Sequence, residues 1–147
     1  MPRVDFYVLA GQAPSRHHFA CRLAEKAYRL DHTVHIHTAD RQQAELLDDL
    51  LWTFRDGSFV PHELTGVTGS LSAAPVTIGF DQAGTGGRDL LINLTDEVPD
   101  FAGTFPRVAE LVTSDDQSRR MSRKRFLHYR ELGAELQTHN IQQGSRH

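Results

Sequence analysis

The chain reads as one three-layer α/β/α domain with an open, mostly parallel sheet, and three observations predict it. Strand-like and helix-like segments alternate from the N-terminus, as they do in βαβ units. Two later segments, VTIGF and DLLINL, are near-continuous apolar runs of the kind found in strands covered on both faces. The 147 residues are 39% hydrophobic and 24% charged, the make-up of a single globular core. No repeat, low-complexity tract or linker divides them.

Taken in order, RVDFYVL at residues 3–9 is β-branched and aromatic and makes the first strand. Gly11 and Pro14 break it, and Ser15 is placed to cap a helix. Phe19, Leu23, Ala27 and Leu30 then recur at helical spacing and mark that helix's apolar face. Residues 33–37 form a second strand. Asp40 followed by Gln43 resembles a capping box that opens a helix over 41–54. There Leu47, Leu50, Leu51 and Phe54 share a face, and Trp52 falls more than a quarter-turn outside it. Asp56-Gly57-Ser58 is a turn, residues 59–62 are an extended or turn segment fixed by Pro61, and 66–74 are loop. Strands over 76–80 and 89–94 flank a glycine-rich turn at 83–87. Residues 99–106 suggest a short helical turn and 107–112 a further strand. A last helix covers 115–132, Gly133 stops it, and the polar remainder is expected to be loosely ordered. The domain is placed at 1–140, with 141–147 as a disordered polar tail.

Several functions find no support. No apolar run approaches the roughly 18 residues of a membrane helix, and MPRVDFYVLA lacks a signal-peptide pattern. The single cysteine, Cys21, cannot form an internal disulfide and suits a reducing cytoplasm. Its helical position reads as a small inert residue. The loop AGQAPS lacks the glycines of a dinucleotide fingerprint, and neither GxxxxGK[ST] nor GxSxG occurs. His35 and His37 project to one face of a strand, but two histidines without a third ligand make no metal site; they read as surface residues. No catalytic carboxylate pair, cofactor motif or metal set emerges.

The terminal helix is different. From Arg119 to Arg130 it carries six Lys or Arg residues and no acid, on a chain whose net charge is −3. Arg119, Arg123, Phe126 and Arg130 fall within about 60° of one another, an arginine stripe with a ring inside it. Met121, Tyr129 and Leu132 lie further round and form the expected core-facing set. A solvated face ordinarily mixes charge signs, and an aromatic ring among arginines asks for something to pack on. The stripe therefore suits an acidic peptide with an apolar end; phosphates are the competing ligand.

In order along the chain come Leu51-Trp52, Ser58-Phe59-Val60-Pro61-His62, Ala74-Pro75-Val76 and Asp89-Leu90-Leu91-Ile92. They are followed by Asp100-Phe101-Ala102, Phe105 and Arg125-Phe126-x-x-Tyr129-Arg130-x-x-Gly133. This series resembles the chi subunits of bacterial DNA polymerase III over nearly the whole chain. The SFVPH block and the terminal-helix motif are specific in combination. The resemblance implies a Rossmann-like fold without a phosphate loop. It also implies a non-catalytic accessory subunit of a DNA-directed DNA polymerase, cytoplasmic, without cofactor or metal. Such a subunit pairs with the psi subunit, which tethers it to the clamp loader. It also binds the acidic, hydrophobic-ended C-terminal tail of the single-stranded-DNA-binding protein, SSB, so that its contact with DNA is mainly indirect. Carried over by position, the SSB-tail pocket would use Arg119, Arg123, Phe126 and Val112, with Trp52 and Phe59 as apolar wall and Arg130 as an addition. The family often has Lys at the position of Arg119 and Tyr at that of Phe126. The sequence does not locate the psi surface, and it leaves open a repair helicase as a further partner. Direct single-stranded nucleic-acid binding by the basic helix is the alternative function.

Overall fold

A computed structural model describes residues 2–9, 15–57, 59–65, 74–80 and 88–141. Its elements are β1 (Arg3–Leu9), α1 (Arg16–Arg29), β2 (Val34–His37), α2 (Arg41–Thr53), β3 (His62–Leu64), β4 (Val76–Gly79) and β5 (Leu90–Asn93). A 3-10 turn, Ala102–Thr104, precedes β6 (Arg107–Thr113), α3 (Asp116–Glu131) and β7 (Glu135–Ile141). Seven strands form one sheet in the order β3-β4-β2-β5-β6-β1-β7, and every pairing is parallel. Residues 66–73 of the loop expected at 66–74, the glycine-rich turn, Ser58, the AGQAP segment at 10–14 and residues 142–147 lie outside the described residues.

Parallel crossovers are right-handed, so the direction of travel along the sheet decides which face each helix covers. The chain moves one way through β1-α1-β2-α2-β3 and the other way through β6-α3-β7. Helices α1 and α2 therefore share one face and α3 takes the other. Side chains alternate accordingly. Val34, Ile36, Ala109 and Leu111 pack with Phe19, Leu47 and Leu51 beneath α1 and α2. Val4, Phe6, Val108 and Val112 pack with Phe101, Phe105 and Tyr129 beneath α3.

The caps follow the sequence closely. Ser15 accepts from the His18 N–H, Asp40 from Gln43 and Asp115 from Ser118. The capping box is half formed, because the Gln43 side chain bonds the His17 ring at 2.7 Å instead of reaching back. Gly133 ends α3 with φ of +80°, a left-handed turn open to glycine without strain.

Four expectations need correction. The segment after Gly133 is a strand, with Glu135–Ile141 in unbroken register on β1. An edge strand has little to bury, so ELQTHNI shows no apolar pattern, and the free edge of β1 specifies it. Leu30 caps α1 and is 62% exposed; Phe19 is buried as expected, with Leu23 and Ala27 packed against the core, and the small residues Ala20, Cys21 and Ala24, also buried, let the helix approach the sheet. Leu132 is likewise exposed, as the C-cap of α3. His35 and His37 are buried, because β2 lies within the sheet and Phe101 closes over both rings edge-on. Burial, with His37 and Arg88 adding to it, holds His35 near a pKa of about 3. Its Nδ1 bonds Thr77 at 2.8 Å. Among the described residues no group of three potential ligands could hold a metal, and no helix is long and apolar enough to cross a membrane. Burial pushes the Cys21 thiol up to about 12, which makes it inert.

Asp5 ties the late strands to β1. It accepts from His139 at 2.9 Å and Arg107 at 3.2 Å, with Arg3 at 3.4 Å. Burial pushes its carboxyl up, but the His139 and Arg107 bonds and the neighbouring arginine charges outweigh this and leave it below the ordinary 3.8. A depressed carboxylate contributes stability above its unfolded value that disappears as pH falls through the folded one. Asp5→Asn should therefore be less stable than wild type in urea at neutral pH. The gap should narrow as pH falls below the ordinary carboxylate value of 3.8; a gap independent of pH would remove Asp5 from this role.

Candidate functional site on the basic helix

The orientation of α3 is set by a buried polar network on β6. Glu110 is fully buried. It receives Arg125 Nε at 2.8 Å, the Tyr129 hydroxyl at 2.6 Å and the Asn93 amide at 2.9 Å. Arg125 also donates to the Asp96 carbonyl at 3.1 Å. Burial pushes the Glu110 carboxyl up, against the pull of Arg125, Tyr129 and Asn93. Burial and the facing carboxyl push the Tyr129 hydroxyl well above its usual range, so it stays protonated and donates. Sequence reasoning missed this network, although a signal was present. In RVAELVT the acid alternates with Val108 and Val112, which puts a carboxylate on a covered face.

With Arg125 turned inward, α3 shows five cations to solvent: Arg119, Arg120, Arg123, Lys124 and Arg130. Asp115 and Asp116 sit at the start of the helix, where negative charge meets the dipole favourably, and no acid follows before Glu131. Phe126 does not stand free in the arginine stripe. Its ring is partly buried against Phe6, with centroids 5.5 Å apart, in the same cluster as Val112. Val112, near the carboxyl end of β6, is itself 2% exposed and forms a floor rather than a wall. Thr113, next along, is bound to Ser118 and Asp115 of the helix start. The carboxyl ends of strands in open α/β sheets are where ligands ordinarily bind.

Phe126 and Val112 thus share one cluster, and Arg119, Arg123 and Arg130 are exposed on the helix that carries Phe126. Trp52 and Phe59 lie elsewhere. They pair with each other at 5.6 Å on the sheet face that carries α2. Between α2 above β4 and α3 below β1 lie four strand spacings, about 19 Å, and the thickness of the sheet. A single pocket walled by Trp52 and Phe59 does not form. The carry-over by position could not detect this, because linear motifs do not say which face of the sheet they reach.

The second patch has its own construction. Trp52 is 49% and Phe59 65% exposed. The Trp52 ring lies 4.3 Å from the ring of His62. The imidazole of His62 is held by the Val60 carbonyl at 2.7 Å, the Asp48 carbonyl at 3.0 Å and the Asp48 carboxylate at 3.1 Å. The patch borders β3, the edge strand opposite β7.

The family model described as DNA polymerase III chi subunit, HolC, matches residues 1–137. The DNA polymerase III subunit chi of Pseudomonas aeruginosa is 46% identical over 142 residues, 96% of this chain and 98% of that protein. The Escherichia coli subunit is 37% identical over 119 residues, 80% of each chain. That of Haemophilus influenzae is 33% identical over 139 residues, 93% of this chain and 96% of that one. The crystal structure of T4 UvsW superposes with a TM-score of 0.68 at 8% identity, covering 95% of this chain and 41% of that protein; this is a likeness of fold alone. The chain belongs to the chi subunits of DNA polymerase III, accessory subunits in DNA replication.

Proposed function

We propose that the chain links SSB-coated DNA to the clamp loader, using the two separate patches for two partners. On α3, Arg119 and Arg123 take the acidic residues of the SSB tail, while the tail's hydrophobic end packs at the Phe126 seam over Val112. Arg130, further along the stripe, meets acids upstream in the tail. The observation that carries this reading is the set of five exposed cations on α3, with no acid among them, beside the partly buried ring of Phe126. Charge attracts the acids, and the apolar seam distinguishes a peptide end from a bare phosphate. Phe126 contributes ring area without a hydroxyl, so the tail makes no hydrogen bond to it.

The Trp52–Phe59 patch is assigned to psi. A tether needs a surface that stays engaged while the tail binds elsewhere, and this patch lies across the sheet from α3. Exposed paired aromatics are the usual anchors of a protein interface. A pull-down from cell extract separates the two assignments. Trp52→Ala should lose psi and keep SSB, whereas Arg123→Ala should lose SSB and keep psi. Joint loss in either variant would contradict two independent sites. A repair helicase competing with psi would also be lost with Trp52→Ala.

A further inference from the structure

Helix α1 carries a second basic surface, on the sheet face away from α3. His18, Arg22, Glu25 and Arg29 recur at helical spacing and form one stripe, with Lys26 beside it. The stripe borders a groove of about 540 Å³ whose other wall is Phe54 and Arg55, at the end of α2. Four cations surround one carboxylate there. Glu25 lies largely buried and takes Arg55 at 2.7 Å and Arg29 at 3.5 Å. Arg22 and Lys26 have no carboxylate partner among the described residues. The groove therefore keeps a surplus of three positive charges on a chain that is negative overall. Phe54, edge-on to His18 at 6.0 Å, adds an aromatic ring to the lining.

We propose that this groove binds the phosphate backbone of single-stranded DNA. From Arg22 to Arg29 the cations run about 10 Å along the helix, a row that suits a repeating charge better than a single anion. Cations that follow a backbone, with one ring for a base to stack on, are sufficient for sequence-independent binding. A replication subunit works where such strands are present. The proposal does not rest on the SSB-tail reading, since it concerns naked DNA and the opposite face of the sheet.

The test is fluorescence anisotropy of a labelled oligo-dT with the whole protein alone, between about 50 and 200 mM salt. Wild type should bind, with log affinity falling against log salt by about 0.7 for each phosphate contacted. The double variant Arg22→Gln, Lys26→Gln should lose at least about tenfold at low salt and flatten that slope by about 1.4. Arg123→Ala should change neither. Absence of wild-type binding at low salt, an unaffected double variant, or loss only in Arg123→Ala would each overturn the proposal. So would an acidic peptide that binds as tightly as the oligonucleotide and is lost in the same double variant. Amide shift mapping on the wild type needs no variant: perturbations should centre on α1 and Phe54, and perturbations confined to α3 would refute the assignment.

Discussion

Glu110→Ala should lower folding stability by about 3–5 kcal/mol, the cost of leaving a buried charge without its partner. The charge is that of Arg125, 3% exposed and bound to Glu110 on one side and the Asp96 carbonyl on the other. Tyr129 would lose its acceptor in the same step, while the Asn93 amide would keep the Glu97 carbonyl at 2.9 Å. Glu110→Gln keeps an acceptor for Tyr129 but loses the charge, and should fall between Ala and wild type. Replacing Glu110 and Arg125 together with apolar residues of similar volume should recover most of the loss, since such exchanges are often near neutral. Urea denaturation of the four proteins decides it. A midpoint unchanged in Glu110→Ala would show that the pair does not fix α3. The functional corollary is that the destabilised variant also presents Arg119 and Arg123 less rigidly, so its peptide affinity should fall although no contact residue has changed.

Arg123→Ala should weaken binding of an SSB C-terminal peptide by about 1–3 kcal/mol, the range for a hydrogen bond to a charged group, or roughly 5- to 150-fold. Arg123 is exposed on α3, and its removal leaves the packing of Phe126 on Phe6 untouched. Stability should therefore stay within about 0.5 kcal/mol of wild type. Calorimetric titration of peptide into both proteins is the measurement, and equal affinities would take Arg123 out of the site. Salt should weaken the wild-type interaction moderately, because its apolar part is not screened. A steep salt slope, with naked single-stranded DNA displacing the peptide from α3, would favour the phosphate reading of the stripe.

Both predictions depend on where the helices lie, and the sequence fixes only part of that. The alternation of patterns, the caps at Ser15, Asp40 and Asp115 and the stop at Gly133 are local, and local chemistry defines α1, α2 and α3 almost to the residue. The apolar strands announce a covered parallel sheet for the same reason, since both faces must be apolar there. The basic charge of α3 is also legible, and so is the motif series that places the chain among its relatives. Strand β7 was not legible, because an outermost strand is specified by the free edge of β1 rather than by its own composition. Nor was the inward turn of Arg125: helical phase sets it beside Tyr129, but its charge groups it with the other cations, and only the carboxylate of Glu110 beneath it draws it in. The separation of Trp52 and Phe59 from α3 follows from strand order, as the chain crosses the sheet in opposite directions before and after β6. Periodicity tells which side of a helix is apolar. Tertiary structure decides which face of the sheet that side meets, and so which functional residues share a site.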